Sequence, residues 1–153
     1  MPFEKKLRRY ARWAAVTVLV FTVANIIGWF LNFEWLRDPF MTGRVMRING
    51  GLCCTVYAVA LLILSRNPPP ARWVTFLART LAGVGFAFTA LAWIELLTGW
   101  QFGIDALFFP AEASRIRTDM PAIFSLKSVA PLTFLGAGLL AIRPPGWTRF
   151  SLS

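Results

Sequence analysis

Histidine is absent from this chain of 153 residues. That absence removes the commonest ligand of haem, zinc and copper, the commonest general base, and any phosphohistidine chemistry. Cysteine is scarce: Cys53 and Cys54 stand side by side in an apolar run. Neighbouring side chains on a helix point about 100° apart, so the two cannot easily bridge and read as small packing residues. Acidic residues are few, 7 Asp and Glu against 16 Lys and Arg. They lie mostly in loops, without the pairing that acid–base chemistry uses. Neither a Gly-rich phosphate loop nor a metal-ligand spacing occurs. The expectation is a non-enzymatic protein that carries no cofactor and offers no catalytic or metal-ligating residue.

What the chain has is apolar length. It is 57% hydrophobic with a mean hydropathy of +0.59, which exceeds the composition of ordinary soluble domains. A helix needs about 20 apolar residues to cross roughly 30 Å of hydrocarbon. Four apolar runs meet or approach that length: 13–33, 48–64, 74–97, and a last one that starts at 124 or 129 and ends at 142. The second is short, and Met46 with the stem of Arg47 can extend it by snorkelling. Arg66 and the triplet Pro68, Pro69, Pro70 stop it abruptly. Lys127 makes the last start ambiguous. Thr22, Val23 and Ala24 weakly resemble a signal-cleavage site, but the apolar run continues through Ile26, Ile27, Trp29 and Phe30 as an uncleaved anchor would. The fold expected is all-α: one integral membrane domain, a four-helix bundle of two tandem hairpins, about 13–65 and 73–142, behind a basic arm at 1–12.

Loop charges thread the bundle. One side carries Lys5, Lys6, Arg8, Arg9 and Arg12, then Arg66, Arg72 and Arg79, then Arg143 and Arg149, with Glu4 as its only acid. The other mixes Glu34, Asp38, Asp105, Glu112 and Asp119 with Arg37, Arg44, Arg47, Arg115, Arg117 and Lys127. A Lys and Arg excess marks the cytoplasmic side, so both termini are expected in the cytoplasm of a bacterial inner membrane. The net charge of +9 then reflects topology and anionic lipid rather than nucleic acid. The partners expected are the bilayer and other membrane or signalling proteins, a second copy of the chain among them.

An internal duplication is also expected. Gly28 and Trp29 close the first run as Gly99 and Trp100 close the third. Met46-Arg47-Ile48-Asn49 leads into the second run as Leu126-Lys127-Ser128-Val129 leads into the fourth. Ala58-Val59-Ala60-Leu61 stands beside Gly138-Leu139-Leu140-Ala141. Two hairpins running the same way form a parallel repeat about an axis along the membrane normal.

The stretch from Leu97 to Phe109, and above all the spacing of Gly99, Trp100, Ile104 and Asp105, resembles the segment after the third helix in a family of duplicated four-helix membrane regions. That family stands at the N-terminus of many bacterial sensor histidine kinases and diguanylate cyclases. Met46, Arg47 and Asn49 resemble its Met-Lys-Pro-Asn helix start, with Ile48 where proline is usual. Lys127, Phe134, Leu135 and Gly138 resemble the second occurrence, behind a longer loop. The resemblance implies a sensory membrane module. Family members continue into a cytoplasmic signalling domain, whereas this sequence ends at Ser153, so it is not expected to be a kinase or cyclase itself.

Eight positions stand out as candidate functional or interaction residues: Asn25, Trp29, Arg47, Asn49, Glu95, Trp100, Asp105 and Lys127. Glu95 is a carboxylate in an apolar run, which marks either a functional group or an interfacial charge paired with a nearby cation. Asn25 lies deeper and can hydrogen-bond between helices. Trp29, Trp35, Trp93 and Trp100 fit an interfacial aromatic belt. Asp105 with Arg115, Arg117 and Lys127 forms either a polar ligand site or solvated loop charges. Gly83, Gly85 and Ala87 give the third run a small face, with a Gly83 to Ala87 spacing suited to close helix approach. The function expected is a non-catalytic sensory or regulatory module; an accessory or assembly subunit of a larger membrane complex is the alternative, and small-solute transport a weaker third.

Overall fold

The computed structural model describes residues 2–37, 48–66, 68, 70–100 and 126–142. It is all-helical, with no strand among the described residues: α1 (Pro2–Phe30), α2 (Glu34–Arg37), α3 (Ile48–Leu64), α4 (Arg72–Thr98) and α5 (Leu126–Ala141). α3 coincides with the second apolar run, and α4 and α5 lie close to the third and fourth. The first differs. Pro2 opens a helix of 29 residues, so the basic arm is not a separate tail but the first turns of α1. Proline suits that place, because its fixed φ is already helical and the first N–H of a helix has no partner to lose.

Helix ends follow from local chemistry. After α1, Asn32 takes the left-handed conformation at φ 56°, which asparagine tolerates better than most residues. Phe33 N–H then reaches back to the Gly28 carbonyl at 2.9 Å and Asn32 N–H to that of Trp29 at 3.4 Å. This double closure satisfies carbonyls that the helix leaves open. α4 ends differently, on Gly99 at φ 71°, whose N–H makes a single bond to the Glu95 carbonyl at 2.9 Å.

α1 packs along α3, α3 along α4, and α4 along α5, while α3 also meets α5. α3 is therefore the central helix. The core is built from Cys53, Tyr57 and Ala60 of α3, Ala82 and Ala92 of α4, and Val129, Leu132 and Leu139 of α5. Small side chains let these helices approach closely, and close approach maximises dispersion contacts. Two helices, Lys5–Phe30 and Arg72–Thr98, are long and apolar enough to cross a membrane by length and composition. α3 and α5 are apolar but shorter, with 17 and 16 residues, a rise of about 25 Å each.

Candidate functional site

Two arginines fix one end of the bundle. Arg12 of α1 donates Nε and Nη2 to the Ser65 carbonyl, at 3.1 and 2.8 Å, just past the end of α3. Arg79 of α4 donates Nη2 to the Ile142 carbonyl at 2.6 Å, just past the end of α5. The C-terminus of a helix carries partial negative charge and open carbonyls, so a guanidinium there answers both. Each hairpin thus closes with a cation from its long helix on a carbonyl just past the end of its short one. The same contacts gather Lys5, Lys6, Arg8, Arg9, Arg12, Arg66, Arg72 and Arg79 at one end.

These contacts also suggest a second way to set α1 beside α4. At the separation that relates Arg12 to Arg79, Ala15 falls on Ala82 and Thr22 on Thr89, all buried. Asn25 falls on Ala92 and Gly28 on Glu95, again buried on both sides. The pattern Ala11-Arg12-x-x-Ala15 with Phe21-Thr22 and Ile27 recurs as Ala78-Arg79-x-x-Ala82 with Phe88-Thr89 and Ile94. Matching Gly28-Trp29 to Gly99-Trp100 is one helical turn out of this register. Those glycines differ in role: Gly28 lies inside α1, whereas Gly99 lies beyond α4. A Cβ on Gly28 would meet the Leu36 Cβ at 2.6 Å, while one on Gly99 would meet nothing within 4 Å.

At the opposite end, α2 folds down on α1 over Gly28. Arg37 stacks on Trp29, with its guanidinium carbon 5.2 Å from the ring centroid, and donates Nη2 to the Asn32 side chain. Trp29 is consequently 5% exposed, which removes it from an interfacial belt. Trp93 is also turned inward and donates Nε1 to Thr133 Oγ1 of α5 at 3.1 Å. Trp35 and Trp100 remain exposed.

Asn25 is 4% exposed and sits in the α1–α3 seam. A Cβ on Gly51 of α3 would lie 3.2 Å from its Oδ1, so glycine is what lets the amide fit. Asn25 Nδ2 donates to the Arg37 carbonyl at a long 3.5 Å, and Oδ1 accepts no hydrogen bond among the described residues. One turn along, the Thr55 hydroxyl lies 2.9 Å from Thr22 Oγ1 and 2.8 Å from the Gly51 carbonyl. Having one proton, it serves these acceptors in turn. Asn49, in the first turn of α3, is fully buried, and Glu95, in the last turn of α4, is 3% exposed.

Thus Asn25, Trp29, Asn49, Glu95 and Trp100 all lie toward the end of the bundle opposite the arginine caps. Arg47 and Asp105 lie outside the described residues, as do Arg115 and Arg117 of the suggested loop site. The backbone of Lys127 belongs to the first turn of α5, and its side chain lies outside the description.

Sequence reasoning missed the largest fully buried side chain, Tyr57, 1% exposed. Its ring fills the space over two glycines. A Cβ on Gly85 of α4 would sit 2.6 Å from Tyr57 Cε1, and one on Gly136 of α5 would meet the Tyr57 hydroxyl and lie 3.0 Å from Cζ. Buried Thr89 gives its proton to the Phe86 carbonyl at 2.9 Å. Gly85, not the Gly83 to Ala87 pair, is the close-approach position, since a Cβ on Gly83 meets nothing within 4 Å and Ala87 is exposed. The available signal was a lone tyrosine in an apolar helix, with unexplained glycines in two others.

Comparison with known proteins adds no relative. No family model, no curated protein and no solved structure matches this chain.

Proposed function

We propose that this chain is an integral membrane protein of four crossings, two tandem hairpins with both termini on the cytoplasmic face of a bacterial inner membrane. It acts as a non-catalytic sensory or regulatory module that passes a signal to a partner through helix packing. The observation carrying this reading is an inverted distribution of side chains. Large apolar residues face outward along the helices, among them Val20 and Phe21 of α1, Val84 and Ile94 of α4, and Phe134 of α5. Asn25, Thr22, Thr89 and Glu95 are buried instead. Exposed apolar surface on this scale is costly in water and natural in lipid, where buried polar groups join helices. Clustering of the cations at one end agrees with a cytoplasmic face.

The route for a signal follows from the contacts. The corner of Trp29, Arg37 and Asn25 bears on the α1–α3 seam, α3 carries Tyr57, and Tyr57 bears on α4 and α5. A shift at the corner therefore reaches α4 and α5 through one side chain, and packed interfaces switch between discrete arrangements rather than deform smoothly. The resemblance to sensory membrane regions of kinases and cyclases supports the same reading.

The experiment is crosslinking in cells followed by mild-detergent purification of the tagged chain and mass spectrometry. A kinase, cyclase or response protein is expected among the crosslinked partners. Recovery of a fixed set of membrane subunits would reassign the chain as an accessory or assembly subunit, and a lone chain or homodimer would exclude relay to a kinase, cyclase or response protein and leave a self-contained sensor or a transporter.

A further inference from the structure

At the basic end, between α1 and the turn from α3 to α4, lies a cleft of about 680 Å³. Its lining joins two kinds of chemistry: the guanidinium groups of Arg12 and Arg66, and an apolar wall that includes Leu62, Pro68, Pro70 and Val74. Arg12 is held in place, because two of its five N–H donors are fixed on the Ser65 carbonyl. Arg66 is exposed. Between residues 62 and 79 the sequence has no acidic residue, and before residue 12 it has only Glu4. The cleft is therefore positive, open and half apolar. The arginine caps gather this end, and α1 and α4 rise from it with apolar flanks.

We propose that this cleft binds an anionic glycerophospholipid: the headgroup phosphate on Arg12 and Arg66, and the start of an acyl chain along Leu62 and Val74. Charge complementarity selects the headgroup. A guanidinium fork matches phosphate oxygens in geometry as well as charge. The apolar wall separates this occupant from a free anion, which would leave that wall wet. A bound lipid would tie α1 to the α3–α4 turn, where the two hairpins join, and so set the resting arrangement of the bundle.

The inference rests on the membrane reading, so the test has two stages. The full chain is first reconstituted into phosphatidylcholine vesicles and floated after an alkaline wash. Failure to float overturns the membrane reading and the inference with it. Flotation is followed by electron spin resonance with spin-labelled phosphatidylglycerol or phosphatidylcholine as the probe, in molar salt, where the Debye length is only about 3 Å. Wild type is expected to hold labelled phosphatidylglycerol in preference to phosphatidylcholine. Arg66→Gln should reduce that preference by up to about five-fold, the effect of one interfacial cation, and Lys5→Gln with Lys6→Gln should change it much less. Arg12→Gln should act like Arg66→Gln, but it also removes a helix cap, so the exposed Arg66 decides the matter. Equal retention of both lipids by wild type, or an Arg66→Gln chain with undiminished preference, would overturn the inference while leaving the membrane reading intact. Displacement of the labelled lipid by inorganic phosphate, at matched ionic strength, would reassign the cleft to a free anion and overturn the lipid assignment.

Discussion

The two hairpins agree at one end and part company at the other. At the basic end Arg12 on the Ser65 carbonyl and Arg79 on the Ile142 carbonyl are the same device used twice. At the opposite end the first hairpin has a Schellman-type turn on Asn32, a short helix pressed on Gly28, and a polar seam of Asn25, Thr22 and Thr55. The second has a single-bond ending on Gly99, with Thr89 and Glu95 buried on α4 and the Trp93 to Thr133 hydrogen bond joining α4 to α5. At the separation that relates Arg12 to Arg79, Asn25 of α1 corresponds to Ala92 of α4 and Gly28 to Glu95. The shared end reads as framework. The opposite end is where the two hairpins differ, and it holds most of the candidate residues.

Substitutions can break this comparison in order of expected size. Gly85→Val drives a branched side chain into the Tyr57 ring and should cost about 3 kcal/mol, the upper range for overpacking, read by unfolding in mixed detergent micelles. A wild-type midpoint for Gly85→Val would mean that Tyr57 does not bind the hairpins together. Arg12→Gln, which loses two part-buried bonds, should cost about 2 kcal/mol, as hydrogen bonds to charged groups do, and Arg79→Gln, which loses one exposed bond, about 1 kcal/mol or less. The order is the prediction, and a larger loss from Arg79→Gln than from Arg12→Gln would break it. Gly83→Ala should stabilise by about 0.5 kcal/mol or slightly more, since the site is open and alanine is the better helix former; a loss would place an unseen neighbour there. Asn25→Ala should change stability by only about 0.6 kcal/mol, the usual size of an interhelical polar contact in a membrane. Its Oδ1 accepts nothing among the described residues, so little is given up. A loss several times larger would mean that Asn25 anchors the seam.

Much of the fold was legible because its signals are one-dimensional. Proline and arginine mark the end of α3, apolar runs locate α4 and α5, and the glycine after α4 fits its left-handed φ. The start of α1 was not legible, since positive charge sets orientation but does not prevent helix formation in a stretch rich in Lys, Arg and Leu. Burial of Trp29 depends on α2 folding back, a tertiary event that aromatic-belt reasoning cannot see. The likeness of Arg12 and Arg79, each on a carbonyl just past a helix end, was not legible either, because an arginine among spaced Ala and Thr looks ordinary until its partner is seen. Tyr57 was passed over for the same reason: its importance lies in two glycines distant in sequence.

The central claim is that the arginine-capped end and the Asn25 end lie on opposite sides of a membrane. It is tested most directly by cysteine accessibility in intact cells, in a Cys53→Ala, Cys54→Ala background. Single cysteines at Lys5 and Arg66, and at Trp35 and Trp100, would be challenged with a membrane-impermeant maleimide before and after permeabilisation. The account predicts that Trp35→Cys and Trp100→Cys are labelled in intact cells, and that Lys5→Cys and Arg66→Cys are labelled only once the membrane is opened. Labelling of all four only after permeabilisation, or of both ends from outside, would contradict it.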